Sequence, residues 1–266
     1  MENSFQYKGK EIVYTVSGKG KAVVLLHGYL ESKKVWSSFA QKLSENFRVI
    51  CVDLPGHGSS GTYGDIHTME FMATVVKALI DSLEIRKVFM TGHSLGGYVT
   101  LAFLEMFSDT LSGYCLFHSQ PFPDQKPAIE KRKREIELVK AGKKNLMYPE
   151  NVEKMFASLN LEKFSEALQR SKEIASEIPP EGIIAMLNGM MARPSRLSTL
   201  EEGRVPLLWI LGTDDSYIPD NIVEKVNLPS NAEVVFLINS GHLGFIEEEE
   251  ESLSVMMDFI ETNINE

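Results

Sequence analysis

Short apolar runs, rich in β-branched residues, alternate along the chain with longer stretches in which apolar positions recur at helical spacing. The runs predict strands at Ala22 to Leu26, Arg48 to Asp53, Lys87 to Gly92, Gly113 to His118, Leu207 to Gly212 and Glu233 to Ile238. An opening hairpin is expected from Tyr7 to Ser17, turned at Lys8-Gly9-Lys10. Helices are expected at Ser38 to Ser44, Thr68 to Ser82, Leu95 to Phe107 and Glu247 to Thr262. Strand and helix in alternation mark a mostly parallel sheet covered by helices, so the fold class is α/β. The alternation breaks once. Between His118 and Val205 the chain reads as several amphipathic helices without a strand, entered at Pro121, Pro123 and Pro127 and left at Pro194 and Pro206. The division is therefore a core of residues 1-120 and 205-266, with a helical cap inserted at 121-204.

Charge and composition narrow the function. The 266 residues carry 27 Lys and Arg against 37 Asp and Glu, a net charge of −10, which argues against phosphate backbones and hence against nucleic acid as a partner. The excess of acid lies outside the cap, because residues 121-200 hold fourteen basic and eleven acidic side chains, a net of +3. Apolar runs such as Leu207 to Leu211 fall far short of the roughly 18 residues that a membrane span needs. The stretch from Met1 to Gln6 lacks the basic start and apolar core of a secretory signal, so a cytoplasmic location is expected. Cys51 and Cys115 sit inside strand-like runs with no Cys-x-x-Cys spacing and read as reduced core residues. Two charge runs read as ordinary helix features. Lys131-Arg132-Lys133-Arg134 continues into an amphipathic pattern and reads as a solvated face, and Glu247 to Glu251 complement the positive end of a helix.

The stretch that carries chemistry is Val88 to Gly97, an apolar strand that runs through Gly92-His93-Ser94-Leu95-Gly96 into a helical period. Glycines on either side of Ser94 permit a tight strand-to-helix turn from which the hydroxyl projects. A serine hydroxyl is a poor nucleophile unless a base accepts its proton and a third group orients the base. His242, in the loop after the last strand, is the expected base. For the acid, Asp214 and Asp215 both follow the strand Leu207 to Gly212; Asp215 is preferred, with Asp124 a more distant candidate. The oxyanion of a tetrahedral intermediate needs backbone donors, assigned to Leu95 and to Tyr29 in Leu26-His27-Gly28-Tyr29. His27 then reads as a loop brace.

These segments, together with Asp53-Leu54-Pro55-Gly56-His57-Gly58 and Gly212 to Pro219, resemble the α/β-hydrolase superfamily over essentially the full length. The resemblance implies a sheet of about eight strands, a cap after the sixth and a triad of Ser94, Asp215 and His242. Branches with an aspartate nucleophile are disfavoured by Ser94. The reading is a serine hydrolase acting on a small ester or related acyl compound, with no metal and no organic cofactor. None of the six histidines stands in a His-x-x-x-His spacing. Two alternatives stay open: a carbon-carbon bond hydrolase or menaquinone-pathway-type synthase that uses the same triad for proton abstraction, and a ligand receptor on the same fold. His118 and Ser119, a polar pair ending the sixth strand, and Met186 and Met190 in the cap are candidate substrate contacts. The oligomeric state is not legible.

Overall fold

The computed structural model describes residues 2–263. Eight strands, β1 (Glu2–Tyr7), β2 (Lys10–Ser17), β3 (Ala22–Leu26), β4 (Arg48–Val52), β5 (Val88–His93), β6 (Leu111–Phe117), β7 (Leu207–Gly212) and β8 (Ala232–Leu237), form one sheet. Their order is β1-β2-β4-β3-β5-β6-β7-β8. β1 pairs antiparallel with β2 and β2 antiparallel with β4, while every other pair is parallel. The sheet is thus mostly parallel, as the alternating pattern implied, and eight-stranded, as the family resemblance implied. The hairpin starts earlier than expected, at Glu2, because β1 alternates exposed and half-buried positions at the sheet edge and shows no continuous apolar run.

β3 and β5 are buried at every position, which requires cover on both faces. Val24 and Leu26 of β3 pack into a core with α2 (Met69–Ser82) and α3 (Leu95–Phe107), while Val23 and Leu25 face α1 (Ser37–Leu43) and the C-terminal helix. α2 forms because Met69, Met72, Ala73, Val75, Val76, Leu79 and Ile80 make one apolar stripe, and the Thr68 side chain caps it by accepting from the Phe71 amide at 3.2 Å.

Five helices intervene between β6 and β7 without a strand. They are α4 (Lys126–Lys140), α5 (Tyr148–Glu153), α6 (Ser165–Glu177), α7 (Pro180–Ala192) and α8 (Leu197–Glu201). α4 packs on α7 and α5 on α6.

The expected final helix is interrupted. α9 (Gly244–Glu247) is a single turn, Glu248 leaves helical geometry at φ −133°, and α10 (Glu249–Asn263) begins after it. The acidic run is therefore divided in its work. Glu249, Glu250 and Glu251 occupy the first turn of α10, Glu248 accepts from the Asn239 amide at 2.8 Å, and Glu247 is buried as an acceptor for other segments. Among the described residues no helix is long and apolar enough to cross a membrane. Cys51 and Cys115 are buried and unpaired.

Candidate active site

The C-terminal ends of the parallel strands gather the loops that carry polar chemistry, the edge at which open α/β sheets bind ligands. β5 ends at His93, and Ser94 follows with φ 49° and ψ −109°, the strained turn that the glycine spacing implies. A Cβ on Gly92 would lie 2.2 Å from the Gly96 carbonyl oxygen, so only glycine lets the turn close this tightly. The turn is held on both sides. The Ser94 amide donates to the Phe117 carbonyl at 3.0 Å, and the Gly97 amide donates to the Ser94 carbonyl at 3.0 Å.

His242 lies between β8 and α9. Its amide donates to the Met155 carbonyl at 2.7 Å, and the preceding Gly241 amide donates to the Glu247 carboxylate at 2.9 Å. Phe245 anchors the same loop from below, with its ring 4.2 Å from that of Trp36. The imidazole Nδ1 stands 2.7 Å from Asp215 Oδ2. Asp215 is also the acceptor for the amides of Tyr217 at 2.7 Å and Ile218 at 3.0 Å, both through Oδ1. Burial by itself would raise the Asp215 carboxyl, but the charge of His242, the nearby His118 ring and the hydrogen bond from His242 outweigh it and hold the group well below the usual carboxylate range. Asp214 points to solvent, and the structure brings Asp215 rather than Asp214 to the histidine.

Ser94 and His242 both line a cavity of about 170 Å³, together with Tyr29, Tyr98, Gln120, Asp124, Arg132, Glu135, Asn151, Met190 and Tyr217 among others. Leu95 opens α3, where the first amides of a helix lack intrahelical partners. Among the described residues neither the Leu95 nor the Tyr29 amide donates to a backbone acceptor. His27 braces the loop, its Nε2 accepting from the Leu54 amide at 3.0 Å.

Of the four candidate substrate contacts, only Met190 lines this cavity. Met186 is fully buried in the core, on the inward face of α7. His118 and Ser119 are fully buried as well, so these two and Met186 make internal contacts in place of the expected contacts with substrate. Ser119 Oγ donates to the Ser94 carbonyl at 2.7 Å, and His118 lies behind Asp215, away from the cavity. The strand pattern places these two residues at the right edge of the sheet; it does not say on which side of Asp215 they lie.

The reading of the run Lys131 to Arg134 as solvated helix surface fails for one residue. Lys133 and Arg134 are exposed, whereas Arg132 turns inward. Its Nε and Nη2 pair with the two oxygens of Asp124 at 2.5 and 3.1 Å. Arg193 closes the same carboxylate from the other side at 2.7 Å and stacks 3.9 Å over the Tyr98 ring. Burial raises the Asp124 carboxyl, yet Arg132 and then Arg193 outweigh it and lower it on balance. The signal is present as spacing, because Ala128, Arg132, Glu135, Ile136 and Val139 share one face of α4. Glu135 is buried on that face, bonded by Asn151 Nδ2 at 2.9 Å. Burial, and next the Glu135 charge, raise the Tyr29 phenol well above its ordinary range, so it stays protonated.

A histidine pair with a carboxylate is also a conceivable metal site, since ligand atoms of His118, Asp215 and His242 lie within 4.8 Å of one another. The geometry speaks for hydrogen bonding instead. Two ligands about 2.0–2.1 Å from one tetrahedral metal lie about 3.3 Å apart, wider than the 2.7 Å between His242 Nδ1 and Asp215 Oδ2.

A buried carboxylate that fixes an imidazole on the wall of a cavity that a half-buried, strained serine also lines is an arrangement that can activate the serine hydroxyl. That places the site among serine-hydrolase-like sites on a doubly covered parallel sheet. The chain belongs to the α/β-hydrolase fold family, whose model matches residues 21–249.

Among curated relatives it is 28% identical over 259 residues to a pimeloyl-[acyl-carrier protein] methyl ester esterase of Vibrio cholerae, covering 93% of this chain and 97% of that protein. It is also 28% identical over 245 residues to the dihydrolipoyllysine-residue acetyltransferase component of an acetoin cleaving system of Pseudomonas putida. There the match covers 91% of this chain but only 64% of the relative. Among solved structures, a thermophilic esterase from Thermogutta terrifontis superposes with a TM-score of 0.92 at 26% identity, covering the whole of both chains.

Proposed function

We propose that the protein is a serine hydrolase that cleaves a small carboxylic ester through an acyl-enzyme. The observation that carries this is the 2.7 Å contact between Asp215 Oδ2 and His242 Nδ1, made beside the cavity into which Ser94 projects. Ser94 Oγ attacks the ester carbonyl carbon while His242 Nε2 takes the hydroxyl proton. The amides of Leu95 and Tyr29 receive the oxyanion, and the helix dipole of α3 adds to the first of them. The alcohol leaves with the proton from His242. Water, deprotonated by the same ring, then attacks the acyl carbon and frees Ser94, releasing the acid. Asp215 fixes the ring so that Nδ1 carries the proton and Nε2 stays open.

The esterase relatives support this chemistry, and the inserted helices act in it as a cap. Its wall of Arg132, Asn151, Tyr29 and Tyr217 and its small volume favour a short polar substrate over a long acyl chain. A cytoplasmic site of action belongs to the same proposal, supported by two buried cysteines that remain unpaired.

The test is hydrolysis of p-nitrophenyl esters from acetate to long chains, comparing the protein with its Ser94→Ala variant. Turnover with a short-chain optimum, lost by about three orders of magnitude or more in Ser94→Ala, is expected. Equal inertness of both proteins across the series would move the site to proton-abstraction chemistry on a carbon-carbon bond, or to ligand binding without turnover.

A further inference from the structure

His118 is a histidine with no exposed surface, no place on the cavity wall and no role in the steps above. It nevertheless occupies a costly position. Its φ is 47°, a left-handed conformation that non-glycine residues adopt only at a cost. Two glycines give it room. A Cβ on Gly244 would lie 2.5 Å from His118 Nε2, and one on Gly212 would lie 3.0 Å from its Cε1. Gly212 ends the strand that leads to Asp215, and Gly244 opens the turn that follows His242.

The hydrogen bonds define the protonation of the ring. The Gly244 amide can only donate, and it lies 3.0 Å from His118 Nε2, so that nitrogen accepts and carries no proton. A neutral ring then holds its proton on Nδ1. Nδ1 is buried and makes no hydrogen bond of good geometry; it faces Asp215 Oδ2 at 3.4 Å, the same oxygen that His242 Nδ1 approaches at 2.7 Å. Burial, against the raising effect of Asp215, takes the His118 ring down to about 4 and keeps it neutral near pH 7. The titratable groups facing it are Asp215, His242 and His93, whose ring centroid is 6.2 Å away, while Phe117 stacks on its face.

We propose that His118 is a positioning residue that acts through Asp215: its Nδ1–H is a second imidazole donor to Oδ2, and it sets how strongly the carboxylate holds His242. This rests on the triad reading above. Two amides on Oδ1 and the His242 imidazole on Oδ2 hold the carboxylate, and His118 Nδ1 stands 3.4 Å from Oδ2. Losing the His118 donor leaves an Oδ2 that binds the His242 imidazolium more tightly. The acid limb of the activity profile then moves up.

Two measurements decide it. The first is ¹⁵N NMR of the unaltered protein at pH 7, which needs no variant and no turnover. His118 is expected as the Nδ1–H tautomer, and an Nε2–H tautomer or a charged ring overturns the proposal whatever the enzyme does. The second is the pH dependence of kcat/KM for p-nitrophenyl acetate in His118→Leu and His118→Asn. The leucine removes the donor; the asparagine tolerates left-handed φ and keeps an N–H near the place of Nδ1.

In His118→Leu the acid limb should rise by about one pH unit, the size of one redistributed hydrogen bond to a charged group, with kcat lowered and KM unchanged. His118→Asn should restore the limb. A folded His118→Leu with an unmoved limb and unchanged kcat overturns the proposal, as does an equal limb shift in both variants. If the His118→Leu variant does not fold, the tautomer alone decides. If p-nitrophenyl acetate is not turned over at all, the hydrolase reading fails while the tautomer measurement still stands.

Discussion

The hydroxyl of Ser119 donates to the carbonyl oxygen of Ser94 at 2.7 Å, so the residue leaving β6 holds the nucleophile's turn from beneath. The Ser119 carbonyl is itself fixed by Trp209 Nε1 of β7 at 2.9 Å, which ties the turn to a third strand. Ser119→Ala should cost about 1 kcal/mol of stability and lower kcat for every ester alike, because the bond supports the turn and touches no substrate. A change in ester preference, measured as unequal losses of kcat/KM across the p-nitrophenyl series, would return Ser119 to the cavity.

The two neighbouring aspartates should separate cleanly. Asp215→Asn is expected to keep the fold and lower kcat by about 10⁴, the loss seen elsewhere when the orienting carboxylate is replaced by an amide. Asp214 is exposed, and Asp214→Asn should leave kcat within about threefold, the size of a lost surface charge near a site. Comparable losses in both variants would sink the assignment.

Lys131 and Arg132 line the cavity with two carboxylates, Asp124 and Glu135, and Arg193, outside the lining, also pairs with Asp124, which leaves one positive charge in excess among these five residues. Monomethyl esters of short dicarboxylic acids should therefore be bound better than neutral esters of equal size. Arg132→Gln should raise KM for the anionic ester by about tenfold, equivalent to one charge-assisted contact, and change KM for the acetate little. An equal rise for both esters would show that Arg132 only braces α4 through Asp124.

Stability should fall on the acid side from the ordinary histidine range downward. His27 and His57 are lowered by burial, and burial likewise takes His67 and His118 down to about 4, so all four fold as neutral rings. The unfolded chain takes up protons near pH 6.5 and the folded one does not, so stability rises with pH across this range. It is full above about 6.5 and is lost progressively as pH falls toward 4. Thermal melts between pH 8 and 4.5 should show a flat Tm down to about 6.5 and a steep decline below it. A constant Tm to pH 5 would mean that these rings are accessible or charged in the folded protein.

Glu247 joins three segments. Its carboxylate accepts from the amides of Ala157 and Gly241 at 2.9 Å each and from Asn160 Nδ2 at 2.7 Å. Burial raises its carboxyl, with those hydrogen bonds acting the other way. Glu247→Ala should cost about 2–3 kcal/mol by leaving buried donors unsatisfied, and it should lower kcat by loosening the backbone before His242. Urea unfolding alongside ester kinetics would check both, and full kcat in a destabilised variant would separate the loop from the catalysis.

Much of this protein was determined by local sequence. The alternation of apolar runs and helical stripes is a property of neighbours along the chain, and it specified the parallel sheet, the strandless helical stretch between β6 and β7 and most element ends, though not the start of the hairpin at Glu2. The turn at Ser94 was equally legible, because two glycines beside one serine are a local steric demand. Asp215 and His242 could be named from their places after strands.

What local pattern cannot carry is the direction in which a side chain points once the elements pack. Arg132 sits in a run of four cations, and only the docking of α4 against Asp124 and Arg193 separates it from its exposed neighbours. His118 sits at the expected edge, yet only the approach of Gly212 and Gly244 from two distant loops puts its ring behind Asp215 rather than in front of it. Local pattern places Ser94, Asp215 and His242 at one edge of the sheet, whereas Arg132, Glu135, Asn151 and Tyr217 reach the cavity wall without having been read as site residues. Tertiary packing decided which of them face the substrate and which hold the others, since burial and hydrogen-bond direction depend on contacts between segments far apart in the chain.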